Sequence, residues 1–297
     1  MKYGGFRYEN LNNIGDHIQS LAAEQFLPRV DVRLNRDTLS TYTHKEQLLL
    51  VMNGWFSHTP KLCFPPDNDI EALFWGFHVT DWNNSREYIL KSESLEYLKK
   101  HEPIGCRDRM TMLHLRENGI NSFYSKCLAL TFPKRLSEPK DGWNILVDAQ
   151  HLPIPDHILK RSIIVSHKVP TDLPEKVKFI YARYLLNLYH ENARLVITTR
   201  LHCALPCIAM GIPVVFFGNE TDHRISLLKD VGLKIYPVKL TDKTNYSSKF
   251  EKDEKFDPEF FQQSVNWNPK PLEFEKEKAE MIQTFNRMLV AKVIQMH

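Results

Sequence analysis

The chain predicts an α/β fold built from parallel strand–helix units and divided into two domains. Three observations carry that prediction. Short β-rich apolar runs alternate with helical ones along the chain. Its 297 residues exceed one typical domain and match two of roughly 130 to 150 residues each. Polarity and Pro/Gly content rise around "PKRLSEPKDGWN", Pro133 to Asn144, which marks a boundary between a domain over 1–138 and a second over 139–297.

In the first domain, "DHIQSLAAEQFLP" puts Ile18, Leu21, Ala22 and Phe26 on one helical face, and Pro28 stops the helix. "EQLLLVMNGW" reads as a buried strand, Leu48 to Met52, ending at Asn53-Gly54, and "EALFWGFHV" as another. Then follow a helix in "SLEYLKKHE", a short strand near Ile104, a helix closed by Gly119 as left-handed cap, and a strand over Ser122 to Tyr124. The second domain opens with the strands "WNILVDA" and "RSIIVSHKV". "PEKVKFIYARYLLNLYHENA" is a helix with Phe179, Ala182, Leu185, Leu186 and Tyr189 at helical spacing. A strand over Leu195 to Thr198, a helix over His202 to Met210 capped by Gly211, and a strand over Pro213 to Phe217 complete a parallel unit. The chain ends in a long amphipathic helix with Phe274, Met281, Phe285, Leu289 and Val293 on or near one face.

Composition narrows the function classes. A net charge of +3, with Lys and Arg spread among acids, gives no phosphate-backbone footprint, so nucleic acid is not an expected partner. No apolar run reaches the ~18 residues of a spanning helix and the N-terminus has no signal-peptide core, which together predict a cytoplasmic protein. The five cysteines form no C-x-x-C pair and fit free thiols. Cys203 and Cys207 stand four apart beside His202, but no second ligand cluster of zinc spacing accompanies them, so no metal site is expected.

One interruption carries chemistry. In "RLVITTRLHCALPCIAMGIPVVFFG" an apolar run is broken by Thr198, Thr199, Arg200 and His202, at the carboxyl end of a strand and the start of a helix. Ligands of open parallel sheets sit at such places. The helix start offers unpaired N–H groups and the positive end of its dipole, and Arg200 adds a fork that holds phosphate or carboxylate. His202 is the adjacent proton donor or acceptor. The alternative is an Arg200 salt bridge to a carboxylate of the other half, with His202 capping the helix. "NNIGDHIQ", Asn12 to Gln19, is a second, Gly-containing helix start in the other domain, and two such starts suggest a cleft between the domains. Asp16 stands there either as a functional group or as an ordinary N-terminal cap.

Three stretches, "NIGDHIQSLAAEQFLP", "GCRDRMTMLHLRENGI" and "ARLVITTRLHCALPCIAMGIPVV", resemble motifs of the polysaccharide pyruvyl transferase family, in the same order. The third is the most specific. The resemblance implies two Rossmann-like domains facing a cleft, as in GT-B glycosyltransferases, with the acceptor on the first domain and the donor on the second. It implies transfer of the pyruvyl group of phosphoenolpyruvate onto two hydroxyls of a sugar, with phosphoenolpyruvate as donor co-substrate, a sugar or glycan as acceptor and no other cofactor. Arg200, Leu201 and His202 match the family's donor-binding motif, His202 being the catalytic acid, and Arg107 matches the arginine of the middle motif. Asn13, Gly15, Asp16, His17, Glu220 and Arg224 are the further cleft candidates, and Asp16, His17, Asp108 and Glu220 all stay open as the base. Where the family pattern leads to a lysine, this chain has His223 and Arg224. Trp55, Trp75, Phe77 and Trp82 are either sugar platforms or core. Two other functions compete: a GT-B-type glycosyltransferase with a nucleotide-sugar donor, Glu220 or Asp222 holding the ribose, and a non-catalytic glycan-binding relative.

Overall fold

The computed structural model describes residues 1–42, 46–238 and 258–296. It is an α/β chain with two sheets, every ladder of which is parallel. The first sheet contains β1 (Lys2–Arg7), β2 (Val32–Asn35), β3 (Leu48–Trp55), β4 (Ile70–His78), β5 (Ile104–Cys106) and β6 (Ser122–Tyr124), in spatial order β2-β1-β3-β4-β5-β6. The second contains β7 (Trp143–Val147), β8 (Ser162–Val165), β9 (Ala193–Thr198), β10 (Val214–Gly218) and β11 (Ile235–Pro237), in order β11-β10-β9-β7-β8. Each order reverses once, between β1 and β3 and between β7 and β9. At such a point neighbouring connections leave in opposite directions and open a crevice beyond the carboxyl ends.

Strands β1, β2 and β11 are absent from the sequence expectation. In β1 the reason is Gly4-Gly5, a pair with no strand signature. A β-carbon at Gly4 would lie 2.9 Å from side-chain atoms of both Leu48 and Leu50, so this inner strand needs glycine for close packing.

The longer helices are α1 (Ile14–Glu24), α2 (Ser92–Lys100), α3 (Arg109–Glu117), α4 (Glu175–Asn192), α5 (Leu201–Ala209) and α6 (Glu275–Gln295). Gly119 and Gly211 close α3 and α5 at φ +74° and +71°, left-handed conformations that glycine adopts without penalty. No helix among the described residues is long and apolar enough to cross a membrane.

Each sheet has a core of its own on one face. Phe6, Leu50, Phe74, Phe77 and Leu98 fill one; Leu146, Ile197, Val215, Phe217 and Tyr236 fill the other. A third core is shared: Ile18, Leu49, Val51 and Trp75 pack with Phe179, Leu186, Cys203, Leu205 and Phe285. Backbone bonds stitch the halves beside it, Ile14 N donating to His167 O (2.8 Å) and Val169 N to Asn12 O (2.9 Å). Helix α6 lies against β4 of the first sheet, with Phe285 fully buried, its ring 5.4 Å from that of Trp75, and Lys292 bonded to Glu71 at 2.5 Å.

Candidate active site

Two helix starts from the two halves meet, Gly15 of α1 lying against His202 of α5. Asn13 caps α1, its side chain accepting from Gly15 N at 3.1 Å. Across from it, Arg200 occupies the cap position of α5 without a side-chain cap bond, its carbonyl accepting from Cys203 N at 3.1 Å and Ala204 N at 3.0 Å. A β-carbon at Gly15 would lie 3.2 Å from both Cβ and Nδ1 of His202. The first helix therefore approaches that imidazole closely enough that a β-carbon would press on it.

Arg200 is held by its own half rather than by the other. Its Nε donates to Asp148 Oδ2 at 2.6 Å, and its backbone N to Thr198 Oγ1 at 2.9 Å. Asp148 follows β7 at φ +52° and also accepts from Ser166 Oγ (2.5 Å) and His167 N (3.1 Å). Burial works to raise the Asp148 carboxyl, but Arg200 and these hydrogen bonds hold it below its ordinary value. The carboxylate at the end of β7 thus orients the arginine at the end of β9 across the reversal point of the sheet.

From the first sheet come Arg107, Asp108 and His78. Arg107 is only 3% exposed, and its Nε has no hydrogen-bond partner among the described residues. Asp108 caps α3 through Thr111 N (2.9 Å), accepts from Thr111 Oγ1 (2.8 Å), and pairs with His78 Nδ1 at 2.5 Å. The His78 ring lies 5.9 Å from that of His223, which arrives on the loop after β10. The Nε2 atoms of His78, His202 and His223 are buried without a partner among the described residues, as is Arg107 Nε. Other buried atoms among the described residues lack a partner too, such as Trp75 Nε1, His101 Nε2 and His114 Nε2, and what distinguishes these four is that their side chains come from both halves and act on one another.

Guanidinium charge and burial act on these groups together. Burial above all, then Arg107, His167 and His78, push His202 well below its ordinary value. Burial and Arg107 lower His78 to about 4 against the opposing pull of Asp108. Burial lowers Arg107 as well, with Arg224 adding to the effect and Asp108 and Asp16 opposing it. Burial thus holds both imidazoles toward the neutral form with guanidinium charge nearby, and an anion bound beside His202 would favour the protonated form of that ring.

The remaining candidates differ in their surroundings, with Asp16 and Arg224 still acting on Arg107. Asp16 is not the cap of α1; it lies 3.2 Å from Arg36 Nη1 and accepts from Asn13 Nδ2 at 3.2 Å. His17 is fully buried where α1 meets α4, 3.2 Å from Glu175 and against the rings of Tyr8 and Phe179. Glu220 is exposed and 4.0 Å from Lys229, while Arg224 is clamped by Asp222 at 2.6 Å. Leu201 packs onto the shared core. Trp75 and Phe77 are core; Trp55 is half-buried, donating to Thr80 Oγ1 at 3.0 Å, and Trp82 is exposed. Cys203 and Cys207 are buried, and burial drives the Cys207 thiol well above its ordinary value. The sequence reading missed His78 and Asp148 as site residues.

A family model described as polysaccharide pyruvyl transferase matches residues 13–221. No curated protein matches the chain. A solved structure of an uncharacterised protein from Klebsiella pneumoniae is similar at 14% identity, over 76% of this chain and 88% of that one, with a TM-score of 0.48. The matched residues include Gly15, Arg107, Arg200 and His202, and the chain belongs to the polysaccharide pyruvyl transferase family.

Proposed function

We propose that the protein moves the pyruvyl group of phosphoenolpyruvate onto two hydroxyls of a sugar in a polysaccharide or glycan precursor, closing a cyclic ketal and releasing phosphate. The observation that supports this reading most is the buried Arg107, whose Nε is unpartnered among the described residues and whose charge acts on His202, two residues from Arg200 at the start of α5. Phosphoenolpyruvate bears a phosphate at one end and a carboxylate at the other. Two arginines from two sheets, arranged as in a GT-B cleft, grip both ends and orient C2.

His202 is neutral before the donor binds and takes up a proton as the anionic donor arrives. It then protonates the methylene carbon, C2 becomes oxocarbenium-like, and the first sugar hydroxyl adds. Phosphate leaves and the second hydroxyl closes the ring. Of the two sugar protons, one ends on the new methyl group and one on phosphate.

A nucleotide-sugar donor is less well served. Of the carboxylates offered for its ribose, Asp222 is taken by Arg224 and Glu220 is exposed beside Lys229. The test is phosphate release from phosphoenolpyruvate with a panel of oligosaccharide acceptors, together with thermal shifts. A ligand at 100 times its Kd stabilises by about 2.7 kcal/mol. Phosphoenolpyruvate is expected to give the shift and Arg107→Gln to abolish it, while His202→Gln lowers turnover about 10²- to 10⁴-fold. A shift with nucleotide sugars alone, or no phosphate release with any acceptor, would overturn the proposal in favour of a glycosyltransferase or a binding protein.

A further inference from the structure

Ketal formation needs a group that takes a proton from the attacking hydroxyl, and each residue open for this in the sequence is paired with another protein group or exposed. Asp16 is tied to Arg36, His17 lies against Glu175 beneath α1, Glu220 is exposed, and Asp108 faces His78 and Thr111. What Asp108 does is orient an imidazole.

His78 reaches the pocket through a local irregularity. Along β4, Ile70, Ala72 and Phe74 pack into the first sheet's own core, whereas Leu73 and Trp75 pack into the shared one. The register against β3 then slips, Met52 facing Phe74 but Gly54 facing Phe77, with Gly76 at φ +69° on the longer side. A β-carbon on Gly76 would collide with Asn53 Oδ1 at 2.3 Å. The extra residue reverses the alternation: Phe77 rejoins the side of Ile70, Ala72 and Phe74, and His78 turns to face the other half. Bulges re-aim side chains in this way next to active sites.

Resting on the pyruvyl-transfer reading, we propose that His78 is a second catalytic residue: its Nε2 takes the proton of the first acceptor hydroxyl as that oxygen bonds to C2, and returns it to the departing phosphate. Asp108 is its positioning residue. A carboxylate 2.5 Å from Nδ1 fixes the proton on Nδ1 and leaves the Nε2 lone pair for substrate. Nε2 is buried, without a partner among the described residues. Arg107, proposed to grip the donor, acts on His78 through its charge, and the ring of His78 lies 5.9 Å from that of His223 on the other half.

The protons balance. His202 gives one to C3 as the first hydroxyl gives one to His78, so His202 becomes neutral and His78 charged. The C2–O bond to phosphate then breaks, phosphate leaving with its bonding pair and the His78 proton. The second hydroxyl adds to C2, its proton passes to His202, and both imidazoles return to their starting states. Neutral His78 in the resting pocket, at about 4, is the form this cycle starts from.

The experiment compares the parent with His78→Gln, His78→Phe and Asp108→Asn, reading phosphoenolpyruvate affinity by calorimetry and turnover by phosphate release. The His78 variants are expected to bind the donor within about threefold of the parent and to lose turnover about 10²- to 10⁴-fold. Asp108→Asn is expected to lower kcat with the donor Kd unchanged. A His78 variant that folds and turns over like the parent overturns the proposal and leaves pyruvyl transfer standing. A parent that transfers no pyruvyl group to any acceptor overturns the reading beneath it. Should the variants not fold, histidine nitrogen NMR of the parent decides: the proposal requires His78 protonated at Nδ1 and bare at Nε2, and the reverse tautomer contradicts it.

Discussion

Gly15 and His202 touch across the two halves of the molecule: a β-carbon at position 15 would sit 3.2 Å from the imidazole's Cβ and Nδ1. Helix α1 would gain slightly in propensity from alanine, so a loss cannot come from the helix itself. Gly15→Ala is expected to keep its melting temperature within a few degrees and lose about tenfold in turnover, because His202 must move by a few tenths of an ångström. Full turnover in that variant would show that this contact does not set the imidazole's position.

Asp148 is the anchor of Arg200, and both side chains are about one-tenth exposed. Removing one partner of a buried pair costs about 3–5 kcal/mol. Asp148→Asn is therefore expected to lower stability in urea denaturation and to weaken phosphoenolpyruvate binding together. Unchanged donor affinity would separate Arg200 from the donor.

The buried histidines predict a pH dependence of stability. Burial, ahead of any charge, holds His78 at about 4 and His167 at about 3, and pushes His202 well down. In the unfolded chain an imidazole titrates near ~6.5. Between about pH 6.5 and 4 the unfolded chain binds more protons than the folded one. Stability thus falls as pH is lowered through that window, by up to about 1.4 kcal/mol per pH unit for each histidine, and these groups add no slope above about pH 7. Saturating phosphoenolpyruvate, which is proposed to favour protonated His202, should make the fall shallower. Melting temperatures between pH 7.5 and 4.5, with and without the donor, check both statements; a flat profile contradicts them.

Phe285 joins α6 to the first sheet, its ring 4.6 Å from Phe26 and 5.4 Å from Trp75. Phe285→Ala is expected to cost about 3–5 kcal/mol in urea denaturation. Donor affinity of the folded fraction should be unchanged, since α6 contributes none of the pocket groups. A loss below about 1 kcal/mol would mean that the helix does not depend on this contact.

Arg200 and His202 were legible because they put a cation and an imidazole into an apolar strand–turn–helix run at the one point where such a run meets ligand. Gly119 and Gly211 were legible because a helix that stops needs a left-handed residue. His78 was not, since strict alternation along "EALFWGFHV" assigns it to the wrong face and only the slip at Gly76 corrects it. Nor was Asp148, whose partner Arg200 lies 52 positions away. His17 misled for the same reason: beside Asp16 it reads as cleft lining, but Glu175 of α4 and the rings of Tyr8 and Phe179 enclose it. Long-range pairing decides these residues, and local pattern carries no trace of it.

Calorimetric titration of phosphoenolpyruvate into the parent, His202→Gln and Arg107→Gln, near pH 7.5 in two buffers of different ionisation enthalpy, tests the proposed donor site most directly. Saturable binding with net proton uptake is expected for the parent, most of the uptake lost in His202→Gln and most of the affinity lost in Arg107→Gln. No saturable heat, or uptake and affinity that both survive these substitutions, would contradict a phosphoenolpyruvate site built on Arg107, Arg200 and His202.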